Sequence, residues 1–359
     1  MFLLVATRSP LARAREVHWA AGCMTPPVRW GLLSTAAIND PVLQGCADSQ
    51  TVEFVAVASR SYDKAREWAD ARGIPTAHGS YADLLRDDAV EAIYVSLPNS
   101  MHVDWAIKAL EAGKHVLCEK PLSRHAEDVV AAFAASDRTG KLLVEAFMYR
   151  FHSQTEQIRT LIADGVIGPV QLIRAAHTFT MADPENDVRT SPELDGGALL
   201  DVGCYCVSAF RLLVGEPDRV LGYAELGSSG TDVAFYGLLI APNGAVGQFD
   251  AAMNLPRRDE LEIVGADGVI LVPDPWLCRG APLELRLAGE RTQVATSATS
   301  PYRAQFEAVS AAIRERGPLE FGRDEAVAQA LVIEALRTSS ETSVAFPVRT
   351  GRERLSLDN

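Results

Sequence analysis

Two short apolar runs, each delivering polar residues at its C-terminal end, constrain this chain most. One is Ile93-Tyr94-Val95-Ser96-Leu97-Pro98-Asn99-Ser100-Met101-His102; the other is His115-Val116-Leu117-Cys118-Glu119-Lys120-Pro121-Leu122. A helical stretch over 101–112 separates them. Strands joined through a helix pair in parallel, and polar residues beyond their C-terminal ends describe a ligand crevice in an open α/β sheet. The pattern extends both ways. Strands are predicted over 28–33, 53–59, 89–97, 115–118 and 141–145, and helices over 62–72, 101–112 and 127–139. This alternation implies right-handed βαβ units and a doubly wound parallel sheet over residues 24–146.

The pattern then changes. A helix over 155–164 leads to a long alternating strand over 170–181 and a loop rich in Asp, Pro and Asn. Residues 196–214 read as one helix stopped by Gly215. Strands over 219–226, 233–240, 245–252 and 260–265 follow in series, with the hairpin signal Asn243-Gly244 between two of them. Helices over 301–315 and 325–341 and a short strand over 343–348 close the chain. The expected fold class is therefore α/β followed by α+β. The second domain, over 147–359, is a largely antiparallel open sheet with helices on one face.

At 359 residues the chain exceeds what one core usually spans. A formal charge of −13 argues against nucleic acid and anionic membrane surfaces as partners. An anionic ligand remains compatible, since backbone N–H groups and one or two local cations can hold phosphates. No run of about 18 apolar residues suggests a membrane span. Six cysteines without CxxC spacing suit buried thiols in a reducing compartment, and the expected location is cytoplasmic. No His is spaced to join Cys204 and Cys206, so no metal site is expected. Residues 1–23 carry Arg8, Arg13 and Arg15 without a continuous apolar stretch, and Met24 follows. They are expected to be a poorly ordered extension ahead of the natural start.

Glu119-Lys120-Pro121, preceded by Pro98-Asn99-x-x-His102, strongly resembles the glucose–fructose oxidoreductase/inositol dehydrogenase (Gfo/Idh/MocA) family of nicotinamide enzymes. Asp201-x-Gly203-x-Tyr205 matches as well, and the resemblance runs from about residue 28 to 348. It implies a dinucleotide-binding Rossmann domain followed by a domain for substrate binding and oligomerisation. It also implies that Leu97, Asn99, His102, Glu119 and Lys120 face the cofactor.

The loop after the first strand departs from the family pattern. Ser34-Thr35-Ala36-Ala37-Ile38-Asn39 stands where the fingerprint usually has glycines, and Gly31 lies within the strand. Small side chains still permit close backbone approach, and Ser34 or Thr35 can cap the helix or donate to phosphate. The turn must then avoid a strongly positive φ, which would strain alanine. The loop resembles that of the NADP xylose dehydrogenase/dihydrodiol dehydrogenase branch; a plain strand–helix turn is the alternative. The second strand ends in Ser59-Arg60 with no acid to hold a ribose 2′-hydroxyl. A hydroxyl and a guanidinium suit a 2′-phosphate, so NADP is expected over NAD.

Hydride transfer also needs a proton acceptor and charge stabilisation at the developing alkoxide. Lys120 can supply the charge, with its pKa lowered by burial and a cationic nicotinamide. Asp201 and Tyr205 are four apart on the predicted helix and share a face. Tyr205 can move a proton near neutrality only if a cation such as Lys120 lowers its pKa, ordinarily about 10. Asp201 either holds a substrate hydroxyl or orients Tyr205. Arg150, in the aromatic segment 145–152, and Arg189 are candidate substrate contacts; for that segment's aromatics, core packing is the alternative.

The function read from this pattern is an NAD(P)-dependent oxidoreductase of a sugar or sugar-like cyclic diol, foremost an aldose 1-dehydrogenase of xylose type. A reductase of a keto-sugar, free or nucleotide-linked, and a non-catalytic NADP sensor are the alternatives. A homodimer or homotetramer is expected, because serial strands with few helices leave one sheet face uncovered.

Overall fold

The computed structural model describes residues 25–348 apart from 316 and 318; the extension expected over 1–23 lies outside them. The first half alternates as β1 Val28–Leu32, α1 Asn39–Cys46, β2 Val52–Ala58, α2 Tyr62–Asp70, β3 Thr76–His78, α3 Tyr81–Leu85, β4 Ala92–Val95, α4 His102–Glu111, β5 His115–Cys118, α5 Ala126–Thr139 and β6 Leu143–Glu145. All strand pairs of this sheet are parallel, in the order β3-β2-β1-β4-β5-β6. Every residue of β4 is buried, as expected of a strand covered by helices on both faces. The strand order reverses between β1 and β4, and a crevice opens beyond their C-terminal ends.

The chain continues through α6 Ser153–Ala163, β7 Val170–Thr180, α7 Cys204–Val214, β8 Arg219–Leu226, β9 Asp232–Ile240, β10 Val246–Ala252, β11 Asn254–Gly265, β12 Gly268–Val272, β13 Leu283–Leu287, β14 Glu290–Val294, α8 Pro301–Glu315, α9 Arg323–Thr342 and β15 Phe346–Pro347. The strands form a second sheet in the order β14-β13-β12-β11-β7-β10-β9-β8-β15. It is antiparallel except where β10 runs parallel to β7. The β9–β10 hairpin forms at the expected place: Gly244 has φ 86° and its N–H donates to the Ala241 carbonyl at 2.9 Å. β12, β13 and β14 were not anticipated from the pattern. β14 is a mostly exposed edge strand with little apolar alternation to announce it.

Three departures affect the site. The helix expected over 196–214 opens as a π-helical turn, Leu199–Gly203, before α7. The stretch Pro192–Val214 is apolar and long enough to cross a membrane by length and composition, yet it is mostly buried, with α7 packed against α9, β7 and β10. α8, expected to belong with the second domain, packs on the parallel sheet. Phe306 lies 4.7 Å from Trp30, 5.4 Å from Phe54 and 5.3 Å from Tyr94, centroid to centroid. α9 serves both cores, giving Ala326, Ala330 and Leu331 to one and Val332, Ile333 and Leu336 to the other.

Candidate active site

A crevice of about 670 Å³ lies between the C-terminal ends of β1, β4 and β5 and the helix-covered face of the second sheet. Its walls come from far apart in sequence: Ala36–Ile38, Ser96–Asn99, Glu119, Lys120, Met148, His177, Phe179, the loop around Arg189, Asp201, Tyr205, Arg257, Trp276 and Tyr302. Asn99 and Arg124 fasten the halves together. The Asn99 amide donates to the Asp195 carbonyl at 2.8 Å, and Arg124 pairs with the Asp195 carboxylate at 3.0 Å.

At the cofactor end the glycine-poor loop opens at Ser34 with φ 159°, and the positive φ stops there. Thr35, Ala36, Ala37 and Ile38 all avoid positive φ, so alanine carries no strain there. Ser34 is buried instead of facing the crevice. Its Oγ donates to the Ser96 carbonyl at 2.8 Å and accepts from the Ala36 N–H at 3.1 Å, tying the loop after β1 to the end of β4. The Asn39 amide donates to the Ser34 carbonyl at 2.8 Å and completes the buckle. Ala36 and Ala37 are left on the crevice wall; Thr35 sits half-buried beside them. Ser59 is buried at the end of β2, and Arg60 beyond it is exposed. Neither lines the crevice wall.

His102 is fully buried and braces both strand ends. Its ring nitrogens lie 2.8 Å from the Leu97 and Pro121 carbonyls. Burial pulls its pKa down to about 4, so near neutrality a single ring proton serves these two acceptors. Glu119 is half-buried and accepts a hydrogen bond from the Tyr94 hydroxyl. Burial raises its pKa despite the adjacent Lys120.

Lys120 is the centre of the arrangement. Its Nζ donates to the Asp201 carbonyl at 2.5 Å and lies 3.4 Å from Oδ1 of the same residue. Burial acts to lower its pKa, but Asp201, Cys204 and Glu119 outweigh it and the net direction is upward. Burial acts in the expected direction, and the carboxylate outweighs it and keeps Lys120 an ammonium. Asp201 in turn accepts from Arg189 Nε at 2.9 Å, and Asp187 clamps the same guanidinium at 3.1 Å. Burial alone would raise the Asp201 pKa; the two cations bring it below the usual carboxylate value.

Tyr205 shares the crevice with Lys120, as its spacing from Asp201 predicts. Lys120 Nζ, however, sits 5.0 Å over the centre of the Tyr205 ring, and the hydroxyl donates to Met148 Sδ at 3.3 Å. Burial pushes the phenol pKa well above its ordinary value, so the expected lowering by Lys120 is absent. Here Tyr205 is a neutral phenol, a proton donor rather than a ready acceptor.

Arg150 is corrected. Its side chain is 1% exposed and lies outside the crevice. Nε donates to Ser208 Oγ at 2.8 Å, Nη2 pairs with Glu325 at 2.9 Å, and the guanidinium stacks 4.4 Å over Phe147. A buried, paired guanidinium of this kind holds helices together. Phe147 and Phe151 likewise belong to the cores, and Met148 is the residue of that segment that lines the crevice.

Sequence reading missed His177, Phe179, Arg257, Trp276 and Tyr302. One signal was available. On β7 the alternating face Ile173, Ala175, His177, Phe179 is apolar except at His177, and a lone imidazole there marks a polar surface to be met. Trp276 and Tyr302 arrive from a loop and from α8, and no periodicity links them to the site.

Comparison with known proteins follows this geometry. Residues 29–147 match the model of an oxidoreductase family with an NAD-binding Rossmann fold, and residues 155–271 match the GFO/IDH/MocA C-terminal domain. The chain is 36% identical over 320 residues to D-xylose 1-dehydrogenase (NADP(+)) 2 of Haloferax volcanii, covering 88% of this chain and 98% of that protein. It is 32% identical to the mouse trans-1,2-dihydrobenzene-1,2-diol dehydrogenase over 271 residues, covering 74% of this chain and 79% of that enzyme. A crystal structure of a 3-ketoreductase from Actinomadura kijaniata, in complex with NADP and TDP-benzene, superimposes with a TM-score of 0.82. The two share 28% identity, over 87% of this chain and 98% of that one. The strand-end motifs, the fold that brings them together and both family matches agree that this chain belongs to the GFO/IDH/MocA family of oxidoreductases.

Proposed function

We propose that the chain is an NADP-dependent oxidoreductase that moves a hydride between the nicotinamide and a carbon bearing oxygen in a sugar or sugar-like cyclic diol. The observation that carries this reading is Lys120, held as an ammonium by Asp201 between the loop after β1 and Tyr205. The backbone around Ala36–Ile38 and Ser96–Asn99 fits a dinucleotide, because small side chains at the switch point leave room for close approach. The nicotinamide, when bound, supplies or accepts the hydride. Lys120 stabilises negative charge on the reacting oxygen, which develops mainly in the transition state. Tyr205, a neutral phenol, donates the proton to that oxygen in reduction; in oxidation it must first lose its own. Asp201 holds Lys120 and Arg189 in place, and Arg189 offers its remaining N–H groups to substrate oxygens. Ser59 and Arg60, with no acid at that strand end, favour a 2′-phosphate and hence NADP over NAD.

Among substrates, an aldose oxidised at C1 is the first choice, given the xylose dehydrogenase relative. Reduction of a nucleotide-linked keto-sugar is the second, given the ketoreductase neighbour. The enzyme is read as cytoplasmic, in keeping with buried free thiols at Cys46, Cys118, Cys204, Cys206 and Cys278. It is also read as a homodimer or homotetramer built on the outer face of the second sheet, where Leu221, Tyr223 and Tyr236 are exposed. Reduced-nicotinamide absorbance, followed with NADP and with NAD across a panel of aldoses and cyclic diols, tests the reading. Turnover with NADP and at least one sugar or diol supports it. NADP binding without turnover of any substrate in either direction would favour a sensor.

A further inference from the structure

Lys120 is placed by main chain more than by charge. Its Nζ donates to the Asp201 carbonyl at 2.5 Å and lies farther, at 3.4 Å, from the Asp201 carboxylate. The position of the ammonium therefore depends on the path of the π-helical turn Leu199–Gly203, which presents this carbonyl. The first N–H groups of a helical stretch have no partner inside it, and its entry is set by whatever caps them. Here the cap comes from a distant element. Asp232 is the first residue of β9, and its Oδ2 accepts from the Leu199 N–H at 2.7 Å. Glycines make this close approach possible. A Cβ at Gly197 would stand 2.1 Å from Asp232 Oδ1, and Gly197 has φ 128°, which a side chain would strain. A Cβ at Gly196 would stand 2.3 Å from the Arg189 carbonyl, which accepts from the Gly197 N–H at 2.8 Å. The Gly197 carbonyl in turn accepts from the Asp201 N–H at 2.9 Å. The segment Gly196–Leu199 is thus bonded to Asp232, to the main chain of Arg189 and to the main chain of Asp201.

Asp232 does not line the crevice. Burial raises its pKa to about 6, against the N–H donors that it faces and Arg337 of α9, so near neutrality it is mostly a carboxylate. A charge held away from water is costly unless it is used in hydrogen bonding, and the bond that this one makes is to the turn below Asp201. We propose that Asp232 is a positioning residue for Lys120: by capping the Leu199 N–H it fixes the turn whose Asp201 carbonyl seats the ammonium for the reacting oxygen. This rests on the functional reading above. Asp232 acts through Lys120 and not on the substrate. Arg189 keeps its own clamp on Asp187, so substrate binding depends less on the cap than turnover does.

The experiment measures kcat and KM for the best aldose or diol, and the NADP dissociation constant, in Asp232→Ala, Asp232→Leu and Asp232→Asn, each alone and combined with Lys120→Ala. Ala and Leu remove the acceptor. They should lower kcat about ten-fold or more while KM and NADP affinity change by less than about three-fold, since Lys120 acts mainly in the transition state. Asn keeps an acceptor oxygen and caps about as well as Asp, so its kcat should stay within about three-fold of wild type. In the Lys120→Ala background the Ala and Leu changes should cost nothing further, because groups that act as one unit are lost once. If the Ala variant fails to fold, the Leu and Asn pair, both close to Asp in size, decides. Wild-type kcat in the Leu variant overturns the proposal. So does an Asn variant as slow as Leu, or losses that multiply when Lys120 is also removed; in each case the functional reading stands. A wild-type protein that turns over nothing in the panel overturns that reading and this inference with it.

Discussion

The two ends of the crevice are built by different means. At the cofactor end the wall is mostly backbone and small side chains: Ala36, Ala37 and the Ser96–Asn99 turn, buckled from behind by Ser34 and Asn39. At the substrate end the wall is charged and aromatic: Lys120, Asp201 and Arg189 in one linked chain, with Tyr205, His177 and Trp276 packed beside it. A backbone wall tolerates sequence change as long as the turn avoids positive φ, so alanines can stand where glycines are usual. A wall of paired charges does not. Removing Lys120 leaves the half-buried Asp201 carboxylate with only the exposed Arg189 to compensate it. Substitutions at the cofactor end should therefore be graded in effect, and those at the substrate end steep.

At the substrate end a steep effect is expected at Tyr205. Tyr205→Phe should lower turnover by about two orders of magnitude while the melting temperature changes little, because the ring still packs against Phe147 and Trp276. Its raised pKa gives a further sign. Below that pKa the phenolate fraction grows about ten-fold per pH unit, so oxidation should accelerate with pH through the neutral range. Reduction, which uses the phenol, should not show that rise. Steady-state rates in both directions between pH 6 and pH 9, about the working span of such assays, check both points. A Phe variant as active as wild type would remove the hydroxyl from the mechanism.

At the cofactor end a milder result is expected. Arg60 is exposed, so Arg60→Asp should weaken NADP binding about ten-fold and improve NAD binding, with kcat on saturating cofactor nearly unchanged. Titration of both dinucleotides by fluorescence measures it, and equal wild-type affinities for the two would end the NADP assignment. The smallest effect on chemistry belongs to the outer face of the second sheet. Tyr223 is 65% exposed and 6.3 Å from Tyr236. Tyr223→Glu should shift the protein toward a 38.7 kDa species in light scattering, with kcat retained. A wild type that already runs as that monomer contradicts the proposed assembly.

What the sequence revealed follows the same division. The strand ends were legible because each apolar run stops at a polar pair, and β4 and β5 carry Asn99 and Lys120 to the crevice by chain direction alone. Asp201 and Tyr205 were legible because one helical stretch fixes their spacing. Arg150 misled: an arginine beside aromatics suits a pocket wall and a buried brace equally, and the choice was made by Glu325 and Ser208, far along the chain. Trp276 and Tyr302 were hidden for the same reason, since they join Tyr205 and Glu119 at the crevice only after both sheets have closed. The direction of the two pKa shifts was also out of reach. Lys120 would have lowered the Tyr205 pKa had it met the hydroxyl; it lies over the ring instead, and Asp201 holds it there.

The most direct test of the account is Lys120→Ala, measured for turnover and for NADP affinity in the same preparation. Lys120 is tied to Asp201 at the substrate end, and the wall that would meet the dinucleotide phosphates is built from other residues. The account predicts a fall in kcat of about 10²–10⁴-fold with the NADP dissociation constant changed by less than about three-fold. A variant that keeps more than about a tenth of wild-type kcat, or one that loses turnover only in proportion to lost NADP binding, would contradict it.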